Sequence, residues 1–197
     1  LYPYAQQAGF LIEEGAFPEQ VDRVIYEFGF PMGPFGLGDL AGLDVGWRVR
    51  QHREPTRPKD LRYSPIADRL YEMGRYGQKT NRGWFRYEEG SRTPIPDLEV
   101  TELIVRTSEE LGIERREISD EEILQRCMYP LINMGARVLE EGISERSSDL
   151  DLVWLYGYGF PRYRGGPMFY ADSVGVDHVY ETMKRFHEVH TDWLEPA

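Results

Sequence analysis

At 197 residues, with 41% hydrophobic and 13% aromatic content, the chain is long enough to bury one or two cores. Its formal charge of -11 opposes a broad nucleic-acid footprint, which needs clustered Lys and Arg, and no run of about 18 apolar residues is present to span a membrane. The single cysteine, Cys127, cannot form an internal disulfide, and residues 1 onward lack the basic and apolar stretches of a signal peptide, so a reducing intracellular compartment is expected.

Tyr4, Ala8, Leu11 and Ile12 share one helical face, and Gly15 supplies the stop. Pro18 suits a first helical position, and Val21, Val24, Ile25 and Phe28 make a second stripe ending at Gly29. The short Gly/Pro turn between them predicts an antiparallel helix pair. Dense proline and glycine from Phe30 to Gly42 break the chain, with Leu37, Leu40 and Ala41 predicting a short third helix. Between Arg48 and Arg62 lie six basic residues against Glu54 and Asp60, which reads either as a solvated loop or as a phosphate-facing edge. Ser64-Pro65 opens another helix with Ile66, Leu70 and Met73 inward and Gly74 at its end. The alternating, aromatic Gly83-Trp84-Phe85-Arg86-Tyr87 predicts a short extended piece, and residues 88–96 read as a linker. A helix from about Leu98 to Leu111 follows, with Val100, Leu103, Ile104 and Leu111 inward. Ser119 and Glu122 form a capping box for a long helix whose stripe is Ile123, Cys127, Leu131, Met134 and Val138. Leu152, Val153 and Tyr156 are the expected apolar residues of the next helix, and Val179, Tyr180, Met183 and Phe186 those of the last.

The order of these features repeats. Leu1-Tyr2-Pro3, Glu13-Glu14-Gly15, Phe28-Gly29-Phe30-Pro31 and Gly33-Pro34 return as Met128-Tyr129-Pro130, Glu140-Glu141-Gly142, Tyr158-Gly159-Phe160-Pro161 and Gly166-Pro167, with offsets of 127, 127, 130 and 133 residues. The growing offset places small insertions between collinear copies of one fold. The expected architecture is therefore all-α: two related helical domains, 1–95 and 96–197, the second including a linker helix.

Few residues point to chemistry of their own. Gly74-Arg75-Tyr76-Gly77-Gln78-Lys79-Thr80 has the wrong spacing for a phosphate loop and no preceding strand, so a structural turn is expected. His187 and His190, with Asp192 nearby, are too few to hold a metal and fit a solvated helix end. Cys127 lies on an apolar stripe with no base beside it, as a small core residue would.

The strings Phe30-Pro31-Met32-Gly33-Pro34-Phe35 through Asp44, Gly74-Arg75 with Gly77-Gln78-Lys79-Thr80, and Asp149 through Met168 resemble the C-terminal domain of the 3-hydroxyacyl-CoA dehydrogenase family, in the tandem form found in fused multifunctional enzymes of fatty-acid β-oxidation that also carry an enoyl-CoA hydratase (lyase) module. Asn81 departs from the family, which usually places glycine there. The resemblance implies that NAD and the catalytic histidine-glutamate pair belong to a Rossmann domain preceding this chain, and that the parent oxidises an L-3-hydroxyacyl-CoA. It also implies that this portion is inactive alone and carries no catalytic, cofactor-binding or metal residue. Pro31, Met32, Gly33, Pro34 and Leu37 match the segment that lines the family's acyl tunnel; the same turn could serve packing only. Acyl-CoA and the Rossmann domain are the implied partners, the two modules are implied to pack as an intramolecular pseudo-dimer because single-copy members of the family dimerise through this domain, and the bacterial cytoplasm, with the peroxisomal matrix as the other option, is the expected location. The competing expectation is a non-catalytic helical scaffold that binds a protein partner.

Overall fold

The computed structural model describes residues 2–189 and 196–197. Ten α-helices lie among them: α1 (Tyr2–Glu14), α2 (Pro18–Phe28), α3 (Pro34–Ala41), α4 (Leu43–Arg53), α5 (Ile66–Glu72), α6 (Leu98–Glu110), α7 (Asp120–Glu140), α8 (Ser147–Gly157), α9 (Pro167–Val174) and α10 (Val176–Val189). The extended segment at 83–87 makes only isolated bridges, Arg82 to Arg86 and Arg86 to Ile95. The chain is all-α, as its periodicity predicts.

Helix α7 is the organising element. Its apolar stripe through Ile123, Cys127 and Leu131 is buried, and its most extensive helix contact is with α1. Helices α1 and α2 therefore do not close on each other as a hairpin; each finds its main partner in α7. The turn between them is short enough for a hairpin, but the strong apolar stripe of α2 is claimed by a helix about 100 residues later in the chain. Pro130 lies inside α7, ten residues after its start. Ser119 caps α7 by accepting from Glu122 N at 3.1 Å. The Glu122 carboxylate does not close the box but binds Arg116 at 2.8 Å.

Where helix α1 meets α7, charge is buried. Arg126 has 0% exposure; its Nη2 donates to Glu14 Oε1 at 2.9 Å and its guanidinium also reaches Gln7 Oε1 at 3.2 and 3.3 Å. Arg62 grips the same corner, donating to Glu14 at 2.7 Å and to Glu13 at 2.7 Å. Burial pushes the Glu14 carboxyl up, but Arg126 and Arg62 overcome it and hold the pKa at about 2. Arg115 Nη2 donates to Ala16 O at 3.1 Å and Arg116 N to Glu14 O at 2.9 Å, which satisfies the open carbonyl end of α1.

Expectations about the faces of four helices are corrected. Leu111 is exposed because α6 ends at Glu110, and α6 packs instead on α1 and α5 through Val100, Leu103 and Ile104. On α8, Leu152, Val153 and Tyr156 face outward, Tyr156 with 74% exposure, while the half-buried Trp154 and Leu155 meet the core. That helix is apolar on several sides, so spacing alone could not choose the buried one. Met134 and Tyr180 are also exposed. Helix α4 falls where a loop or basic edge is expected, because Leu43, Val45, Trp47 and Val49 alternate rather than stack at helical spacing and only Leu43 is buried. Trp47 stacked on Tyr71 at 4.3 Å and the Arg50–Asp68 ion pair at 2.7 Å fasten α4 to α5.

Candidate functional site

The turn from Phe30 to Phe35 is built by one carboxylate. Asp22, on α2, accepts from Phe35 N at 2.9 Å and Gly36 N at 2.7 Å, at the N-terminus of α3 where unpaired N–H groups and the helix dipole favour an anion. A Cβ at Gly33 would collide with Asp22, so only glycine lets the turn close on it. The second copy repeats the device: Asp151, on α8, accepts from Met168 N at 2.7 Å and Phe169 N at 3.2 Å, and a Cβ at Gly166 would collide with Asp151. Burial pushes Asp22 up to about 7 despite its two N–H donors, with nearby Asp39 and Glu19 adding to the rise. Burial raises Asp151 in the same direction.

The copies also touch reciprocally. A Cβ at Gly29 would stand 2.9 Å from Pro161 Cβ, and one at Gly159 3.3 Å from Pro31 Cγ, while the corresponding Phe30 and Phe160 rings meet edge to face at 5.4 Å. The residues inserted in the second copy have a task in the first: Tyr163 Oη and Arg164 Nε each donate to Phe28 O at 2.8 Å, closing the C-terminal end of α2.

Asp39 anchors the other end of α3. It accepts from Trp84 N at 2.8 Å, Phe85 N at 3.0 Å and Tyr87 Oη at 2.9 Å, which pins the aromatic segment across the module. Its counterpart in the repeat, Asp172, is exposed, and the second copy has no such segment to hold. The Gly74–Thr80 stretch is the expected structural turn: Lys79 pairs with Asp44, and Thr80 Oγ1 accepts from Tyr76 N at 3.0 Å. Asn81 adopts a left-handed φ of 55°, a conformation asparagine tolerates, so the departure from glycine keeps the backbone shape. Arg75, buried, donates to Gly83 O at 2.9 Å, Glu99 at 2.7 Å and Asp97 at 2.6 Å, tying this turn to the start of α6.

Of the five acyl-wall candidates, Gly33 is buried under Asp22, Met32 and Pro34 are half-buried, and Pro31 and Leu37 are exposed, Leu37 at 38%. Phe35 points into the core against Trp84 at 4.6 Å. Leu37, Leu40, Val45 and Val49 present an apolar surface along α3 and α4. None of the five lines the large cavity of about 700 Å³, which lies between α1, α4 and α5 and takes in Phe35, Trp84 and four arginines of the basic run. Sequence reasoning missed the Asp22 and Asp151 anchors, although each is an aspartate in the helix preceding a Gly-Pro. Cys127 is buried in the core, and burial pushes its thiol up to about 12. The solvated helix end expected at His187, His190 and Asp192 lies in part outside the described residues, which end at 189 before resuming at 196.

The family model for the 3-hydroxyacyl-CoA dehydrogenase C-terminal domain matches residues 1–87 and 123–196. The chain belongs to that family. It is 46% identical over 211 residues to the peroxisomal bifunctional enzyme of Homo sapiens and 44% identical over 211 residues to that of Danio rerio, in each case across 100% of this chain and 29% of the relative. A peroxisomal fatty acid beta-oxidation multifunctional protein of Arabidopsis thaliana is 36% identical over 200 residues, covering 100% of this chain and 28% of its own length. The chain thus spans under a third of the relatives it matches. Among solved structures, the dehydrogenase part of multifunctional enzyme 1 from C. elegans superposes with a TM-score of 0.74 at 28% identity, over 95% of this chain and 42% of that one. The 3-hydroxybutyryl-CoA dehydrogenase of Escherichia coli superposes at 0.69 with 15% identity, over 96% of this chain and 55% of the other, a likeness of fold alone. The bacterial cytoplasmic location expected from the sequence is corrected by these relatives, which are animal and plant proteins named as peroxisomal.

Proposed function

We propose that this 3-hydroxyacyl-CoA dehydrogenase C-terminal chain is the substrate-side and assembly portion of an NAD-dependent L-3-hydroxyacyl-CoA dehydrogenase within a peroxisomal multifunctional β-oxidation enzyme. The observation that carries the reading is the match of this whole chain, at 46% identity, to 29% of a bifunctional enzyme. NAD needs a strand, a glycine-rich turn and a helix N-terminus to seat its pyrophosphate; among the described residues no strand–turn–helix of that kind occurs, so this chain's residues do not fit the cofactor. In this reading the dinucleotide and the groups that move the proton sit in a preceding domain.

What this chain contributes is position. Asp22 fixes the 30–36 backbone against α2, and the apolar surface through Leu37 and Leu40 supplies wall for an acyl chain, with Pro31, Met32, Gly33 and Pro34 shaping its edge. The two copies, 1–95 and 96–197, act as a pseudo-two-fold pair, a reading supported by the reciprocal glycine–proline contacts and by the twice-used aspartate anchor. The second copy then supports the first, as Tyr163 and Arg164 do at Phe28. The coding sequence upstream of Leu1 tests the proposal: a strand followed by Gly-x-Gly-x-x-Gly and, later, an asparagine just before Leu1 are expected, and an unrelated sequence there would contradict it. The 197-residue chain by itself is expected to form no NADH from 3-hydroxybutyryl-CoA and NAD.

A further inference from the structure

The cavity of about 700 Å³ has the size of a small-molecule site, and its walls are apolar, built from Ala5, Gly9, Phe10, Phe35, Val49 and Trp84. Its polar lining is one-sided: Arg50, Arg53, Arg57 and Arg62 contribute to it and no Asp or Glu does, in a chain with 34 acidic and 23 basic residues. Three of these arginines are matched from behind the wall, Arg50 by Asp68, Arg57 by Glu54 and Arg62 by Glu13 and Glu14. Among the described residues Arg53 has no carboxylate partner; its guanidinium lies over the Tyr2 ring, 5.3 Å from the centroid. Arg50 is held by Asp68, whose Oδ1 lies 2.7 Å from both its Nε and its Nη2, while Tyr63 donates to the other oxygen. Arg53, exposed at the rim, is thus the cation left for an anion from solvent.

We propose that this cavity binds an alkyl carboxylate, its chain along Phe10, Val49 and Trp84 and its carboxylate at Arg53. The inference does not rest on the dehydrogenase reading. A hydrocarbon chain accounts for walls that offer little to hydrogen-bond, and a guanidinium fork accounts for a carboxylate end.

Calorimetric titration of the 197-residue chain with decanoate, dodecanoate and dodecanol tests it, with Trp fluorescence as a second readout because Trp84 lines the cavity. One-to-one binding is expected to tighten about four-fold per added CH₂, so that dodecanoate binds roughly 15-fold more tightly than decanoate. Dodecanol, which lacks the charge, should bind at least about tenfold more weakly than dodecanoate, and Arg53→Glu should weaken dodecanoate by about tenfold or more while leaving dodecanol unchanged. Val49→Trp, on an exposed wall position, should fill the space and abolish binding with the circular dichroism unaltered. Arg53→Gln, expected to fold as the unaltered chain does, guards against misfolding of the charge-reversed variant. No saturable binding, equal affinity for dodecanol, or indifference to Arg53→Glu or Val49→Trp would overturn the proposal. None of these results bears on NADH formation, so its failure leaves the dehydrogenase reading standing.

Discussion

Replacing Arg126 with methionine probes the joint on which the fold turns. The change leaves Glu14 buried at the α1–α7 contact with Arg62 as its main remaining cation. Breaking one side of a buried ion pair costs about 3–5 kcal/mol, because the partner stays desolvated without compensation. Linkage gives an independent figure of similar size. Glu14 is held at about 2 against an ordinary 4.5, and losing most of that depression corresponds to about 3 kcal/mol. A loss of this size should lower the melting temperature by roughly 10 °C for a chain of this length. Urea unfolding at pH 7 and pH 3, followed by circular dichroism, measures both parts. A group whose folded pKa is depressed stabilises above its unfolded pKa and ceases to as pH falls through the folded value, so the unaltered chain should lose this contribution between about pH 4.5 and 2. The variant should be destabilised at pH 7 and show a weaker acid dependence. Pairing it with Glu14→Leu should recover part of the loss, since an apolar pair of similar volume has no charge to desolvate. A variant within about 1 kcal/mol of the parent at pH 7, with the same acid dependence, would refute the reasoning.

Asp22 predicts the opposite pH trend. It binds its proton more tightly folded than unfolded, so stability should fall as pH rises from about 4 to 7, by up to about 4 kcal/mol for a shift from 3.8 to about 7. Asp22→Asn should flatten that slope in urea midpoints taken across the window; an unchanged slope would count against the assignment. Cys127, with its thiol pushed up to about 12, should resist a thiol reagent in the folded chain and react once urea unfolds it. Prompt reaction in native buffer would place the residue nearer the surface. In a longer protein carrying this chain, Leu37→Asp should impair kcat/KM for long-chain substrates more than short ones, since each CH₂ of lost apolar contact is worth about 0.8 kcal/mol. Equal losses at every chain length would speak against an acyl wall at this position.

Much of the fold was legible because the strongest helices are also the simplest. In α2, Val21, Val24, Ile25 and Phe28 occupy one face and charged residues most of the rest, and Pro18 and Gly29 mark its ends. Helix α8 defeated the same reading because Leu152, Val153, Trp154, Leu155 and Tyr156 leave no single apolar face, and the choice among them was made by the neighbours. Helix α4 carries its apolar residues at alternate positions, and it is held by an aromatic stack and ion pairs that local spacing does not encode. At the candidate site, the glycines and prolines announced a fixed turn but not what fixes it. Asp22 and Asp151 sit 11 and 15 residues before their glycines, and only the repeat itself, aligned helix by helix, could have singled them out. The buried Arg75 was hidden for a related reason: its partners Gly83, Asp97 and Glu99 come from later segments, the two acids from beyond the linker.

The central claim is that these residues complete the substrate side of a 3-hydroxyacyl-CoA dehydrogenase. The most direct measurement is NADH formation at 340 nm from a long-chain L-3-hydroxyacyl-CoA and NAD, comparing the longer protein that contains this chain with the same protein ending just before Leu1. The account predicts activity in the first and its loss in the second, with NAD binding retained by the shortened protein. Undiminished turnover after removal of residues 1–197 would contradict it.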